Sequence, residues 1–305
     1  MSSTVNASSL PSNTSLAACL PDRPLFRPWR AWIDELSPDC LADPTRLGHA
    51  LARSVRPHTH HGQAIHFCAP ADDALAYETR IARYGAVATR PHCWHDLFNA
   101  LVWHAFPLTK AALNARHVEA AMANGARGPV RDALTHFDED GIVVMHAAAG
   151  LVQALRAHRW REVFWARRDE WEKGVRVIVF GHALLDKLRQ PFFGLCGKAV
   201  FLRCRPDRLN GSDTALVRHA DIRLARILVR WRRLSARSLQ ALPVLALPGM
   251  TEANRQPEYF DDTRQFRPSR RGPKHLAKTT AMVRDDACGH PYSGAQAPGR
   301  TVDTP

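Results

Sequence analysis

The pattern of apolar and polar positions divides the chain into a series of short elements. Phe26, Trp29, Trp32, Ile33 and Leu36 recur at helical spacing, and Pro28 suits a first turn. A second short helix is expected over 45–55. Asp72 to Tyr84 reads as a helix with acids at its start and Gly85 just past its end, its buried stripe being Ala74, Tyr77, Ile81 and Tyr84. The most apolar long run is Arg90 to Asn114. There Trp94, Phe98, Leu101, Val102 and Ala105 cover one face, and Leu97, Ala100 and Trp103 cover much of the rest. A helix apolar nearly all round is a buried helix. Thr89 is a candidate cap and Pro91 a candidate first-turn residue, while Pro107 should end or kink the helix before a second one over 108–123.

Further on, Val130 to His146 alternates in a way that reads best as a β-hairpin, with Asp140-Gly141 as its turn; a helix over 129–137 is the alternative. Residues 150–169 are expected to be helical, with Leu151, Leu155, Trp160, Phe164 and Trp165 buried. VRVIVF (Val175–Phe180) and KAVFLRC (Lys198–Cys204) read as strands, with a short helix from His182 to Leu188 between them. A long amphipathic helix is expected from Asp213 to Arg237, capped by Ser212, and 243–247 could close the sheet. These elements make an α+β fold: a mainly helical single domain over 23–270 with a small mixed or antiparallel sheet. The polar residues 1–22 and the basic, Gly/Pro-containing residues 271–305 are expected to be disordered.

Composition narrows the class. Hydrophobic residues make up 45% and charged residues 23%, which suits a globular protein with a sizeable core. The N-terminus lacks the basic and apolar regions of a signal peptide, and no run reaches the about 18 apolar residues that a membrane helix needs. The seven cysteines are odd in number and contain no CxxC, which favours neither a zinc ribbon nor a disulfide framework. A cytoplasmic, reducing location is therefore expected. The net charge of +13, mostly arginine, favours contact with polyanions. Arg223, Arg226, Arg230, Arg233 and Arg237 would form a basic stripe on the long helix for a nucleic acid or another acidic partner, although a solvated face explains the same pattern.

Five ordered fragments point to a family. They are YETRI (Tyr77–Ile81), TRPHCWHDLFNALVW with FPLTKAALN (Thr89–Asn114), RDALTHFDEDG (Arg131–Gly141), FGHALLDKL (Phe180–Leu188), and LPVLALPG with YFDDTRQFRP (Leu242–Pro268). Together they resemble a bacterial domain-of-unknown-function family. Its marks are a Trp-His-Asp-x-Phe-Asn-Ala helix, a later Phe-Gly-His-Ala and a terminal Asp-Asp-x-x-x-Phe-Arg-Pro. The resemblance covers about residues 62–268 and implies a domain boundary but no chemistry. One departure stands out: Met250-Thr251 follow Pro248-Gly249 where the family pattern has aromatic residues.

The candidate chemistry lies in the apolar run. His95, Asp96 and Asn99 are costly to bury unless something binds them, and His182 follows a strand at the start of a helix, where functional groups often sit. His95, Asp96, Asn99 and His182 are therefore the candidate catalytic residues, and His95, Asp96 and His182 the candidate ligands of a divalent metal. Asp138, Glu139, Asp261 and Asp262 could supply further carboxylates. The competing reading is a hydrogen-bonded polar network in the core. His58, His60, His61 and His66 also invite a metal, but a solvated loop is expected there. No GxSxG, Walker or GxGxxG motif occurs. Two function classes follow: a metal-assisted hydrolase at His95, Asp96 and His182, or a non-catalytic binder using the basic helix.

Overall fold

Helices pack around two small sheets in the computed structural model. It describes residues 15–269, apart from 53–54, 73, 125–127 and 232–233. Strands β1 (His66–Cys68) and β2 (Ala86–Ala88) pair in parallel, with His66 opposite Ala86. The main sheet contains β3 (Gly141–His146), β4 (Val175–Val179), β5 (Cys196–Arg203) and β6 (Gln240–Pro243), in the order β4-β3-β5-β6. β3 runs antiparallel to β4 and parallel to β5, and β6 is antiparallel to β5. Every residue of β3 is buried, which is why it reads as an unbroken apolar run rather than an alternation. The mainly helical α+β class expected from the pattern is what the chain adopts.

The central helix, Trp94–Ala105, is buried at every residue from Asp96 onward. It ends before Pro107, which starts the next helix, Pro107–Asn124. A proline at that position gives up only an N–H that would lack a partner anyway. The next two N–H groups, on Leu108 and Thr109, donate to the Asp221 carboxylate at 3.2 and 2.7 Å. Asp221 lies on the long helix Asp213–Arg230, so a carboxylate distant in sequence caps this helix and ties the two together.

Several expectations need correction. Residues 129–140 form a helix, not the first strand of a hairpin, and the chain enters β3 directly at Gly141. Ala133, Leu134 and Phe137 are the buried positions, which is helical rather than alternating spacing, and Pro129 stands in the first turn. The helix expected from Asp72 begins at Tyr77, and Tyr77 and Tyr84 are exposed rather than part of a buried stripe. The expected 150–169 helix is split into Ala149–Arg156, a π-helical turn at Glu162–Ala166 and Arg168–Gly174, with Trp165 exposed. β6 ends at Pro243, and Val244–Ala246 is a 3-10 turn.

The N-terminal segment is ordered from Ser15: Leu16, Ala17 and Cys19 are buried, so the core reaches into the expected tail. The rest of that tail, and residues 271–305, lie outside the described residues. The long helix stops at Arg230. Arg237 belongs to a separate 3-10 turn, Ala236–Ser238, Arg233 lies outside the described residues, and Arg223 donates to the Arg203 carbonyl. Only Arg226 and Arg230 of the five remain exposed on that helix. The six described cysteines are free, and no helix among the described residues is long and apolar enough to cross a membrane.

Candidate metal centre

Three helices bring the site together. His95 and Asp96 open the central helix, Glu139 lies in the last turn of Pro129–Asp140, and His182 opens the short helix His182–Lys187 after β4. The sequence places Asp138, Glu139 and Asp140 at a helix C-terminus, where the macrodipole disfavours negative charge. Each is compensated from outside its helix. Lys110 Nζ donates to Asp138 at 2.7 Å, Lys187 Nζ donates to Asp140 at 2.7 Å, and the two histidines face Glu139. A broken local rule with a costly remedy is the mark of a functional position.

His182 is brought against Glu139 by the backbone. Phe180 and Gly181 both donate their N–H groups to the Gly141 carbonyl at 2.9 Å. A Cβ on Gly181 would fall on the Glu139 carbonyl oxygen and the Gly141 nitrogen, so the two chain segments can meet only at a glycine.

The geometry converges. The His95 and His182 rings lie 4.5 Å apart, edge to face. Glu139 Oε2 is 3.3 Å from His95 Nε2 and 3.6 Å from His182 Nε2. Ligand atoms about 2.0–2.2 Å from a tetrahedral zinc stand roughly 3.3–3.6 Å apart, so both separations already match. The ligand atoms of His95, Glu139 and His182 all lie within 4.8 Å of one another.

Behind each histidine stands a second carboxylate. Asp96 Oδ1 is 2.9 Å from His95 Nδ1. Asp96 is in turn gripped by Arg90 through its backbone N–H and Nε at 2.8 Å and Nη2 at 2.9 Å. Asp138 Oδ1 stands 3.9 Å from His182 Nδ1, a buried atom without a hydrogen-bond partner. Histidine ligands characteristically back onto a carboxylate in this way.

The charges follow from these contacts. Hydrogen bonds to Asp96 and Glu139 outweigh the desolvation of His95 and raise its imidazole to about 9. Burial lowers His182 to about 4, so it is neutral at pH 7. Burial works against the Asp96 carboxylate, but the Arg90 and His95 hydrogen bonds hold it well below the usual range. A positive charge, whether a proton or a metal ion, is favoured between Asp96 and Glu139.

These residues line a cleft of about 300 Å³, shared with Tyr77, Glu78, Asn99 and His117. The model of a family described as Protein of unknown function (DUF3025) matches residues 65–270. The chain belongs to this family. The span matched to DUF3025 contains every residue of the cleft named above. No curated protein and no solved structure matches the chain.

Of the four residues expected from sequence, His95 and His182 meet in the cleft with their ring nitrogens on one carboxylate oxygen. Asp96 does not join the converging set, because Arg90 and His95 Nδ1 occupy its oxygens; it stands behind the His95 ring instead. Asn99 is occupied as well: its Nδ2 donates to the Tyr77 hydroxyl and its Oδ1 accepts from Lys110, both at 2.9 Å. The carboxylate that converges with the two histidines is Glu139, which the sequence offered only as one of several reserves. Lys110 and His117 gave a fainter signal: with Asn114 they are polar residues at helical spacing along one segment; Glu78 carries no such mark. Asp261 pairs with Arg161 and Asp262 with Arg264, and neither lines the cleft. His58, His60, His61 and His66 are exposed.

Proposed function

We propose that this protein is a metal-assisted hydrolase whose ion is held by His95, Glu139 and His182. The observation that carries the reading is the convergence of two imidazole nitrogens on one carboxylate oxygen, with a carboxylate behind each ring. Two histidines and a glutamate are a donor set for zinc or a similar divalent ion, and such a set leaves a fourth position open. An ion bound there would supply Lewis acidity for hydrolysis. Asp96, fixed by Arg90, sets the orientation of the His95 ring. Lys110 holds both Asp138 and Asn99, two residues that line the cleft, and so fixes their positions. The alternative, a polyanion binder, has no comparable convergence behind it among the described residues, since the expected arginine stripe is broken at Arg230.

Elemental analysis and calorimetric zinc titration test the reading. One divalent ion per chain is expected in the native protein. His95→Ala and Glu139→Gln should weaken binding by more than the roughly 10–100-fold that loss of an outer partner costs. A native protein that carries no metal and takes up no zinc would sink the proposal.

Asp96→Asn should retain the ion but bind it about 10–100-fold more weakly, because His95 loses its charged partner while keeping its own ligand nitrogen. Equal zinc affinity in Asp96→Asn and wild type would mean that Asp96 serves only to hold Arg90.

A further inference from the structure

Polar groups beyond the three ligands stand at or next to the lining of the cleft. Lys110, Asn114 and His117 share one face of the Pro107–Asn124 helix, and all three are buried. Lys110 is engaged by Asp138 and Asn99. Asn114 Nδ2 donates to Glu78, at 2.6 Å to Oε2 and 2.9 Å to the backbone carbonyl. His117 lines the cleft with Nδ1 buried and without a hydrogen-bond partner. Glu78 lies in the first turn of the Tyr77–Tyr84 helix and lines the same cleft.

Four carboxyl groups therefore reach this cleft, and three have an ionic partner. Asp96 has Arg90, Asp138 has Lys110, and Glu139 has the protonated His95. Glu78 differs. Its side chain is held by the neutral amide of Asn114, and it takes part in none of the ion pairs found among the described residues. A carboxyl placed beside a ligand cluster and held by an amide rather than in an ion pair is suited to carry a proton rather than a charge.

We propose that Glu78 is the proton donor of this site, giving its carboxylic proton to the leaving group as the scissile bond breaks. The inference rests on the hydrolase reading above. The oxygen of a water molecule bonds to the electrophilic centre. The bond to the leaving oxygen or nitrogen breaks, and its electron pair stays with that atom. The Glu78 proton neutralises it, so the product departs as an alcohol or amine. The proton released by the attacking water returns Glu78 to its acid form by way of solvent.

The surroundings suit that role. Burial, then the Asp138 carboxylate, push the Glu78 carboxyl up to about 7 against the pull of Asn114, Lys110 and Arg131. A general acid works best with its proton affinity near the working pH. The groups around it are Tyr77 on its own helix, Lys110 and His117 on the Pro107–Asn124 helix, and Arg131 and Asp138 on the Pro129–Asp140 helix. Burial lowers His117 to about 4, so it is neutral at pH 7 and adds no charge to the pocket.

The test uses zinc-loaded full-length protein, wild type and Glu78→Gln, with acetohydroxamic acid as the probe. Calorimetry at pH 7.5 in two buffers of different ionisation heat reads the protons taken up on binding. Zinc affinity should agree within about twofold between the two proteins, since Glu78 is not a ligand, and this also verifies folding. Hydroxamate binding should draw roughly half a proton or more in excess into wild type, because the bound oxygen accepts a hydrogen bond from protonated Glu78. Equal proton uptake in the two proteins, with zinc bound normally, overturns the Glu78 assignment alone. A zinc-loaded wild type that binds no hydroxamate also overturns it, because no open position then adjoins the ion. A wild type that binds no zinc overturns the hydrolase reading and this inference together.

Discussion

Replacing Lys110 by Met is expected to destabilise the protein by about 3–5 kcal/mol, the cost of breaking a buried ion pair from one side. Lys110 is 4% exposed and sits between Asp138 at 2.7 Å and the Asn99 carbonyl at 2.9 Å. A methionine fills the same volume and can keep the contact with the Trp103 ring, which Lys110 now covers at 5.3 Å. What it cannot do is neutralise Asp138. Burial, the largest single influence, would raise that carboxyl; the charge and hydrogen bond of Lys110, with smaller help from the neighbouring histidines, together outweigh it, and the net shift is downward.

A carboxylate whose folded pKa is depressed contributes stability above its unfolded value, about 3.9. That contribution is lost as pH falls through the folded value. Without Lys110, burial dominates and the folded pKa rises, so the penalty is largest at neutral pH and shrinks as pH falls toward about 4. Urea unfolding at pH 7 and pH 4.5 measures both. A double variant, Lys110→Met with Asp138→Asn, should be less destabilised than Lys110→Met alone, because no charge is then left buried. A deficit under about 1 kcal/mol at pH 7, or one that grows on acidification, would contradict the assignment of Asp138 as a buried anion held by Lys110.

Gly181→Ala is expected to damage stability and metal binding together. The added Cβ would strike the backbone of Glu139, Asp140 and Gly141 rather than a flexible side chain, so the chain itself has to move. Overpacking of this kind costs about 1–3 kcal/mol or more. The displacement falls where His182 meets Glu139. Sites of this type tolerate only about 0.5 Å of error, so zinc affinity should fall by at least about tenfold. Urea unfolding and zinc titration read the two effects. Zinc affinity equal to wild type in a destabilised Gly181→Ala protein would show that the crossing supports the fold without setting the site.

The buried central helix, its break at Pro107, the strands near 175 and 198 and the capped long helix were all legible in the periodicity of the chain. Each is decided by local rules: an all-round apolar face, a missing N–H, a β-branched run, a serine before a helix. The stretch 130–140 was not, because Leu134, Thr135, His136, Phe137 and Asp138 satisfy alternation and helical spacing about equally. That misreading hid the carboxylate that converges with the histidines. In a hairpin, Asp138 and Glu139 belong to a turn; in the helix that forms, they meet the two histidines and the lysine. The N-terminal residues Leu16 and Cys19 were missed for a related reason. Few apolar residues in a polar stretch look unable to pack, yet they fill a core whose other side lies elsewhere in the chain.

The sequence by itself determined the α+β class, the family, and the two histidines worth watching. His95 stands in a helix too apolar to carry it without cause, and His182 at a strand-to-helix turn. Only the tertiary structure decided what joins them. Asp96 turned to Arg90 and became a support, Glu139 took the central place, and Glu78 was left in the cleft with an amide for its partner. Ligand sets and proton affinities depend on distances of a few ångströms between residues many positions apart. Those distances are fixed by helix packing and by one backbone crossing at Gly181, and no local pattern records them.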